Sequence, residues 1–258
     1  MIRTHIRAGV AHLWLARPDK HNAFDGAMLA DLAMALDALE RDAAVRVVVL
    51  AGEGPSFCAG ADLGWMLQQA QDGDAANAKG VVQIAQAFHR IAGLAKPVVA
   101  RVHGAARGGG VGLVAACDVA VASTAASFTL TEVRLGLLPA VISPFIVERV
   151  GPSQARALFL LGDKVSAEDA WRLGLVHSIV APDDLDARVE RTVVSLLAGG
   201  PEALAACKRL VRDVAFRAPV DVLDVTAQAL AQRRASEEAA EGIAAFLEKR
   251  PAAWIPSK

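Results

Sequence analysis

The stretch Pro97-Val98-Val99-Ala100-Arg101-Val102-His103-Gly104-Ala105-Ala106-Arg107-Gly108-Gly109-Gly110-Val111-Gly112-Leu113 decides how this chain is read. Pro97–Val102 is a short apolar, β-branched run with proline at its first position, the pattern of a buried strand. It runs directly into Gly104. From Gly109 to Cys117 only Gly, Ala, Val, Leu and Cys occur, which predicts a helix packed closely against its neighbours. Three consecutive glycines, Gly108 to Gly110, stand at the junction. The first amides of a helix have no intrahelical partner and share the positive end of its dipole. Such a junction suits a phosphate, a carboxylate or a developing oxyanion.

Nucleotide-binding readings fare poorly here. Counted from Gly108 and Gly110, the third glycine of G-x-G-x-x-G would fall on Leu113. Counted from Gly110 and Gly112, the looser form ends on Ala115. The acid expected at the end of the next strand is missing, because Asp118 begins that strand. A P-loop is excluded, since no G-K-[ST] is present. A purely structural role, with glycines permitting close helix packing, stays open at this point.

Working outward, a second small-residue turn precedes the first: Phe57-Cys58-Ala59-Gly60-Ala61-Asp62-Leu63. It follows the Val-rich run Arg46–Leu50 and leads into a helix-prone segment, Trp65–Ala70. Small side chains let a ligand approach the backbone closely. A third segment follows the junction, Thr131-Glu132-Val133-Arg134-Leu135-Gly136-Leu137-Leu138-Pro139. Glu132 stands in largely apolar surroundings, where desolvation raises a carboxyl pKa toward values suited to proton transfer. The competing reading is an ion pair with Arg134, or a surface acid.

The remaining pattern alternates strand-like and helix-like segments. Val10–Ala16, Arg46–Leu50, Pro97–Val102, Asp118–Ala122 and Ser127–Leu130 read as strands. Gly26–Arg41 and Asn77–Leu94 read as helices. This alternation predicts an α/β fold with parallel pairing. Several strands are too close in sequence for a crossover helix, which leaves room for a spiral of strand–strand–helix turns. The last third reads as helical: Ser153–Leu161, Ala167–Leu173, Leu185–Leu197, Glu202–Val214 and Val220–Leu247, with Ser166 and Asp169 as a capping box. That helical tail either docks on another subunit or covers its own core.

Composition narrows the function classes. Net charge is −1, from 27 basic and 28 acidic side chains, so no basic stripe for nucleic acid is expected. Cys58, Cys117 and Cys207 are far apart and lack C-x-x-C spacing, so neither a disulfide framework nor a zinc site is expected. They read as small, partly buried hydrophobes. Met1–Val10 has no apolar h-region, and no uninterrupted apolar run reaches about 18 residues. No membrane partner and a cytoplasmic location are therefore expected.

Taken together, the segments resemble the crotonase family, also called enoyl-CoA hydratase/isomerase. Arg17-Pro18…Asn22-Ala23-Phe24, Phe57–Leu63, His103–Asp118, Glu132–Pro139 and the helical C-terminus occur in family order. The resemblance implies a crotonase-type α/β core over residues 1–195. It implies a C-terminal helical region over 196–258 serving oligomerisation, as a homotrimer or a dimer of trimers. It implies an acyl-CoA substrate, with coenzyme A as part of the thioester and no separate cofactor or metal. The backbone amides of Ala61 and Gly109 would form an oxyanion hole. Lys20, Ala23, Phe24, Ala59, Asp62 and Leu63 would line the CoA channel. Each amide donor of such a hole is worth roughly 3 kcal/mol of barrier, and bulk added at Gly109 is expected to damage turnover while sparing the fold.

The match breaks at one place. Hydratases of the family use two glutamates; the second aligns with Glu132, whereas the first falls on Gly112. One acid suffices for double-bond isomerisation. Against that, the runs Gly112–Asp118 and Thr131–Pro144 resemble methylglutaconyl-CoA and isohexenylglutaconyl-CoA hydratases, whose substrates carry an extra carboxylate. Arg107 and Arg134 are candidate partners for it, or else surface residues. The resemblance thus favours hydration of an enoyl-CoA, or the reverse, with Glu132 transferring the proton. The alternatives are an enoyl-CoA isomerase and a catalytically silent acyl-CoA-binding subunit. Trp65, Met66, Phe88, Val141, Ile142 and Phe145 are candidates for the acyl pocket, or core residues.

Overall fold

The structure is a computed structural model that describes residues 1–255. Three successive units share one plan. A long strand is followed, after a short bend, by a three-residue strand in a second sheet, and the chain then turns into helix. The first unit is β3 (Val47–Gly52), β4 (Ser56–Cys58), then α2 (Leu63–Gln71) and α3 (Asp74–Gly93). The second is β5 (Val98–Val102), β6 (Ala105–Arg107) and α4 (Gly109–Ala116). The third is β7 (Val119–Ser123), β8 (Ser127–Thr129) and, after a 3₁₀ turn at Glu132–Leu135, α5 (Ser143–Leu161). This is the expected spiral of strand–strand–helix turns.

An N-terminal hairpin, β1 (Ile2–Arg7) and β2 (Val10–Leu15), extends the larger sheet, and β9 (Lys164–Ser166) and β10 (Ser178–Val180) complete the two sheets. The six-stranded order is β1-β2-β3-β5-β7-β10, and the four-stranded order is β4-β6-β8-β9. All pairs are parallel except β1–β2 and β8–β9. The long strands are buried on both faces, as parallel strands are. Along them the side chains alternate. Val48, Leu50, Val98 and Ala100 join the main core with α1 (Gly26–Arg41) and α3. Val47, Val49, Val99 and Val121 pack against Leu185, Val189 and Val193 of α7 (Leu185–Leu197).

The α1 boundaries coincide with the apolar periodicity because Asp25 caps the first turn, its carboxylate accepting the Met28 amide at 2.9 Å. Ser166 caps α6 (Ala167–Arg172) by accepting the Asp169 amide at 3.0 Å. The Ser166 hydroxyl in turn donates to the Asp169 carboxylate at 2.9 Å.

The structure departs from the sequence expectations in several elements. Beyond α8 (Pro201–Val214), Val220–Leu247 is three pieces: a 3₁₀ turn at Pro219–Val222, α9 (Leu223–Arg234) and α10 (Glu237–Leu247). Ser236 breaks the run by capping α10. The strands β1, β4, β6, β9 and β10 carry no alternating apolar signature of their own. β1 is nearly all exposed at the sheet edge, and β4 and β6 have three residues each. The 195/196 division falls in the last turn of α7, whose buried face belongs to the sheet core. Among the described residues, no helix is long and apolar enough to cross a membrane.

Candidate active site

The two glycine-bearing turns lie side by side because the second sheet pairs them. β4 and β6 are adjacent and parallel, with Ser56 opposite Ala105 and Cys58 opposite Ala106. Beyond β4 the chain turns at Gly60, whose φ is +91°. A β-carbon there would stand 2.7 Å from the Arg107 carbonyl and 3.1 Å from the Gly109 amide nitrogen. No side chain fits such an approach, and the backbone conformation itself favours glycine. Ala61, the next residue, thus presents its amide next to the start of α4.

Ala61 is held from the other side by the loop before α1. Phe24 and Ala61 form an isolated parallel bridge. The Phe24 amide donates to the Gly60 carbonyl at 2.8 Å, and the Asp62 amide donates to the Phe24 carbonyl at 2.8 Å. Asn22, fully buried, fixes that loop. Its side chain accepts from the Arg17 amide at 2.9 Å and donates to the carbonyls of Glu53 and Ser56 at 2.8 and 2.9 Å.

Arg17 ties the caps of two helices together. Its guanidinium lies 3.1 Å from Asp25 and 3.1 Å from Asp62. Asp62 caps α2 by accepting the amides of Gly64 and Trp65 at 2.9 and 3.2 Å. Partial burial by itself would raise the Asp62 pKa; the Trp65 amide, the Arg17 charge and the Gly64 amide outweigh it and hold the carboxyl below its usual range.

On the opposite side of the junction stands Glu132. Gly108, at φ +49°, exposes its Cα to the carboxyl, and a β-carbon there would lie 3.1 Å from Glu132 Oε1. Oε2 is buried with no hydrogen-bond partner. Burial pushes the pKa of this carboxyl up. The ion pair with Arg134 does not form: Arg134 pairs with Asp163 at 2.5 Å. A carboxyl that forms no salt bridge among the described residues, next to free helix amides, is a group able to give or take a proton without first breaking an ion pair.

The sequence-derived site residues divide accordingly. Ala61, Gly109 and Glu132 are brought together around the α4 N-terminus. Ala59 is half-buried beside them, Leu63 is exposed on α2, and Lys20 is exposed on the Pro18–Lys20 turn. Ala23 and Phe24 are buried. The Phe24 ring lies under Gly109, where a β-carbon would meet it at 2.5 and 2.9 Å. Bulk at Gly109 therefore strains the core against Phe24, which corrects the expectation that it would spare the fold. Among the acyl-pocket candidates, Phe88, Ile142 and Phe145 are buried, while Trp65, Met66 and Val141 are half-buried.

Gly112 faces the core one turn further along α4. A β-carbon on it would overlap Ile142 Cγ2 and stand 3.2 Å from Phe88. The roles of Arg17 and Ile142 were missed from sequence. Arg17 was legible only as part of the Arg17-Pro18 motif, although two acids, Asp25 and Asp62, each stand just before a helix-prone run.

Similarity to known proteins shows the family and the fold. The enoyl-CoA hydratase/isomerase family model matches residues 5–256. The chain is 33% identical to crotonyl-CoA hydratase of Syntrophomonas wolfei, over 95% of this chain and 94% of the relative. It is 32% identical to 1,2-epoxyphenylacetyl-CoA isomerase of Escherichia coli, over 96% of each. The crystal structure of an enoyl-CoA hydratase from Shewanella pealeana superposes with a TM-score of 0.94 at 37% identity, covering 98% of this chain and 95% of that one. The chain is a member of the enoyl-CoA hydratase/isomerase family and an enzyme of that class.

Proposed function

We propose that this enzyme hydrates an enoyl-CoA, or removes water in reverse, through a thioester enolate. The amides of Ala61 and Gly109 receive the carbonyl oxygen, and Glu132 transfers the proton. The observation that carries this reading is the half-buried Glu132 carboxyl against Gly108, its Oε2 buried without a hydrogen-bond partner, one residue from the Gly109 amide.

Water adds its oxygen to the β-carbon while negative charge moves onto the thioester oxygen. Two preorganised amides meet that charge, each worth roughly 3 kcal/mol of barrier. The carboxylic acid form of Glu132, favoured by burial, delivers a proton to the α-carbon, and the carboxylate left behind takes the proton that the added water releases. One water is consumed and Glu132 ends as it began. No metal or redox group takes part, and CoA enters only as part of the substrate. The hydratase named among the relatives supports this direction.

A second reading, isomerisation of the double bond, is favoured by Gly112. The space at that position is filled by Ile142 and Phe88, so no second acid shares the work. In that case Glu132 moves one proton between the α- and γ-carbons. Arg134 is committed to Asp163, which argues against its holding a substrate carboxylate.

Exposed Phe216, Val220, Leu223, Phe246 and Leu247 on and around the C-terminal helices support assembly into a trimer or a pair of trimers, testable by light scattering. The decisive experiment for function is a panel of straight, branched and carboxylated 2-enoyl- and 3-enoyl-CoAs with products separated. A 3-hydroxyacyl product supports hydration; exclusive interconversion of enoyl isomers overturns it; tight binding without turnover would mark a silent subunit.

A further inference from the structure

The Ala61 amide belongs to no helix and to neither sheet. It sits in the isolated Phe24–Ala61 bridge, a contact of one residue on each side. Phe24 spends its own amide and carbonyl on Gly60 and Asp62, the chain neighbours of Ala61, at 2.8 Å each. The amide of Ala61 itself is then turned away from Phe24, as this parallel pairing requires. Among the described residues nothing accepts that amide. Two backbone bonds close the bridge but leave it free to rock about their line. What fixes its angle must come from outside it.

One guanidinium supplies that hold. Arg17 Nη1 donates to the Ala23 carbonyl at 2.9 Å and lies 3.1 Å from Asp25 Oδ2. Nη2 lies 3.1 Å from Asp62 Oδ2. Ala23 and Asp25 flank Phe24, and Asp62 follows Ala61, so the fork spans the bridge. Each acid divides its oxygens in the same way. Asp25 Oδ1 accepts the Met28 amide of α1, and Asp62 Oδ1 accepts the Gly64 and Trp65 amides of α2. Oδ2 of each goes to Arg17. The first turns of two helices are thereby referenced to one rigid plane. Arg17 is anchored in turn. Its amide donates to the Asn22 side chain at 2.9 Å, and its carbonyl accepts the Lys20 and Asn22 amides at 3.1 and 2.9 Å. Its side chain is 18% exposed and those of the two acids 21% each, so the fork is largely shielded from water. A lysine could serve only one arm at a time, because an ammonium is a point charge and not a planar fork.

We propose that Arg17 is a positioning residue for the thioester reaction: its fork sets the angle at which Ala61 presents its amide to the developing oxyanion. The inference rests on the oxyanion-hole reading above. The Nη donors of Arg17 are taken by two carboxylates and a carbonyl, so it acts through Ala61 and not by touching substrate. A hydrogen bond weakens steeply as its angle departs from linear. A donor aimed at charge that develops only in the transition state contributes there more than in the ground state. Misaiming it therefore lowers kcat and leaves KM nearly unchanged.

The test compares wild type, Arg17→Met and Arg17→Lys. The kinetic arm uses the best substrate of the enoyl-CoA panel. The spectroscopic arm uses butanoyl-CoA isotope-labelled at its thioester carbonyl, a saturated ligand that cannot be hydrated. Arg17→Met should lower kcat about ten-fold, a fraction of the roughly hundred-fold that a whole donor carries. KM should change by less than about two-fold. Arg17→Lys should fall between. In the infrared difference spectrum the labelled carbonyl band should lie below that of the free ligand in wild type and return toward it in Arg17→Met. The position of the band, unlike its height, does not depend on how much protein is folded, so simple destabilisation cannot move it. Unchanged kcat in both variants overturns the proposal. So does a raised KM with kcat kept, or a band that stays at its wild-type position. A band with no displacement in wild type overturns the oxyanion hole itself, a failure distinct from that of Arg17. If Arg17→Met does not fold, Asp25→Asn keeps a capping oxygen for Met28 and removes one arm of the fork. It should lower kcat in the same sense, and wild-type kcat there overturns the proposal.

Discussion

Ile142 occupies the space in front of Gly112: a β-carbon on Gly112 would overlap its Cγ2 and stand 2.9 Å from its Cβ. The glycine is thus not simply a missing acid. The core has closed over the position, and Ile142 is only 2% exposed. Gly112→Ala should overpack this contact and destabilise the protein by about 1–3 kcal/mol. Ile142→Leu removes Cγ2, so Gly112→Ala with Ile142→Leu should be more stable than the sum of the single changes. A double-mutant cycle in urea measures this coupling. Additive effects would show that the two side chains do not compete for one space.

Glu132→Gln should lose about two to four orders of magnitude in turnover, the range for a general acid–base group, while folding normally. Its stability should also respond to pH in a definite sense. Burial raises the folded-state pKa above the unfolded value. Between the two, the folded protein holds a proton that the unfolded chain has lost, so stability falls as pH rises through that window. The Gln variant lacks this loss. Its melting temperature should exceed that of wild type at alkaline pH, and the difference should shrink in acid.

Asp62 carries two tasks that substitution can separate. Asp62→Asn keeps a capping oxygen for Gly64 and Trp65 but loses the charge paired with Arg17. Asp62→Ala loses both and should cost about 0.5–2 kcal/mol for the cap alone. Turnover should fall more in the Ala variant, because α2 begins two residues after the Ala61 amide. Chemical denaturation and kcat for the pair check this; equal values would assign the whole effect to charge.

His177 sets an acid limit on stability. Burial, and then the neighbouring Arg149, lower its pKa to about 4. Nδ1 accepts the Ala120 amide at 2.9 Å, so a proton there would displace a backbone bond. Below pH about 6.5 the unfolded chain takes up a proton that the folded one refuses. Stability should therefore fall from about pH 6.5 to about pH 4. His177→Gln can still accept that amide and should flatten this part of the pH profile, measured by denaturant titration.

The sequence by itself determined the alternation of strands and helices and singled out the two glycine turns and Glu132, whereas the spiral and the roles proposed for Ala61, Gly109 and Glu132 entered as what the family resemblance implied. Local physics carries the first of these: Val-rich runs ending in glycine turns, the helical period of Gly26–Arg41, and one acid in apolar surroundings. It also located the departure at Gly112. Only the tertiary structure decided what surrounds those groups. Three-residue strands such as β4 and β6 have no period to read, yet their pairing sets Gly60 against the Gly109 amide. Arg17 meets Asp25 and Asp62 across 8 and 45 residues of chain (25 − 17 and 62 − 17), and Ile142 reaches Gly112 across 30 (142 − 112). Contacts between residues so far apart are set by how the layers pack, which no local pattern encodes.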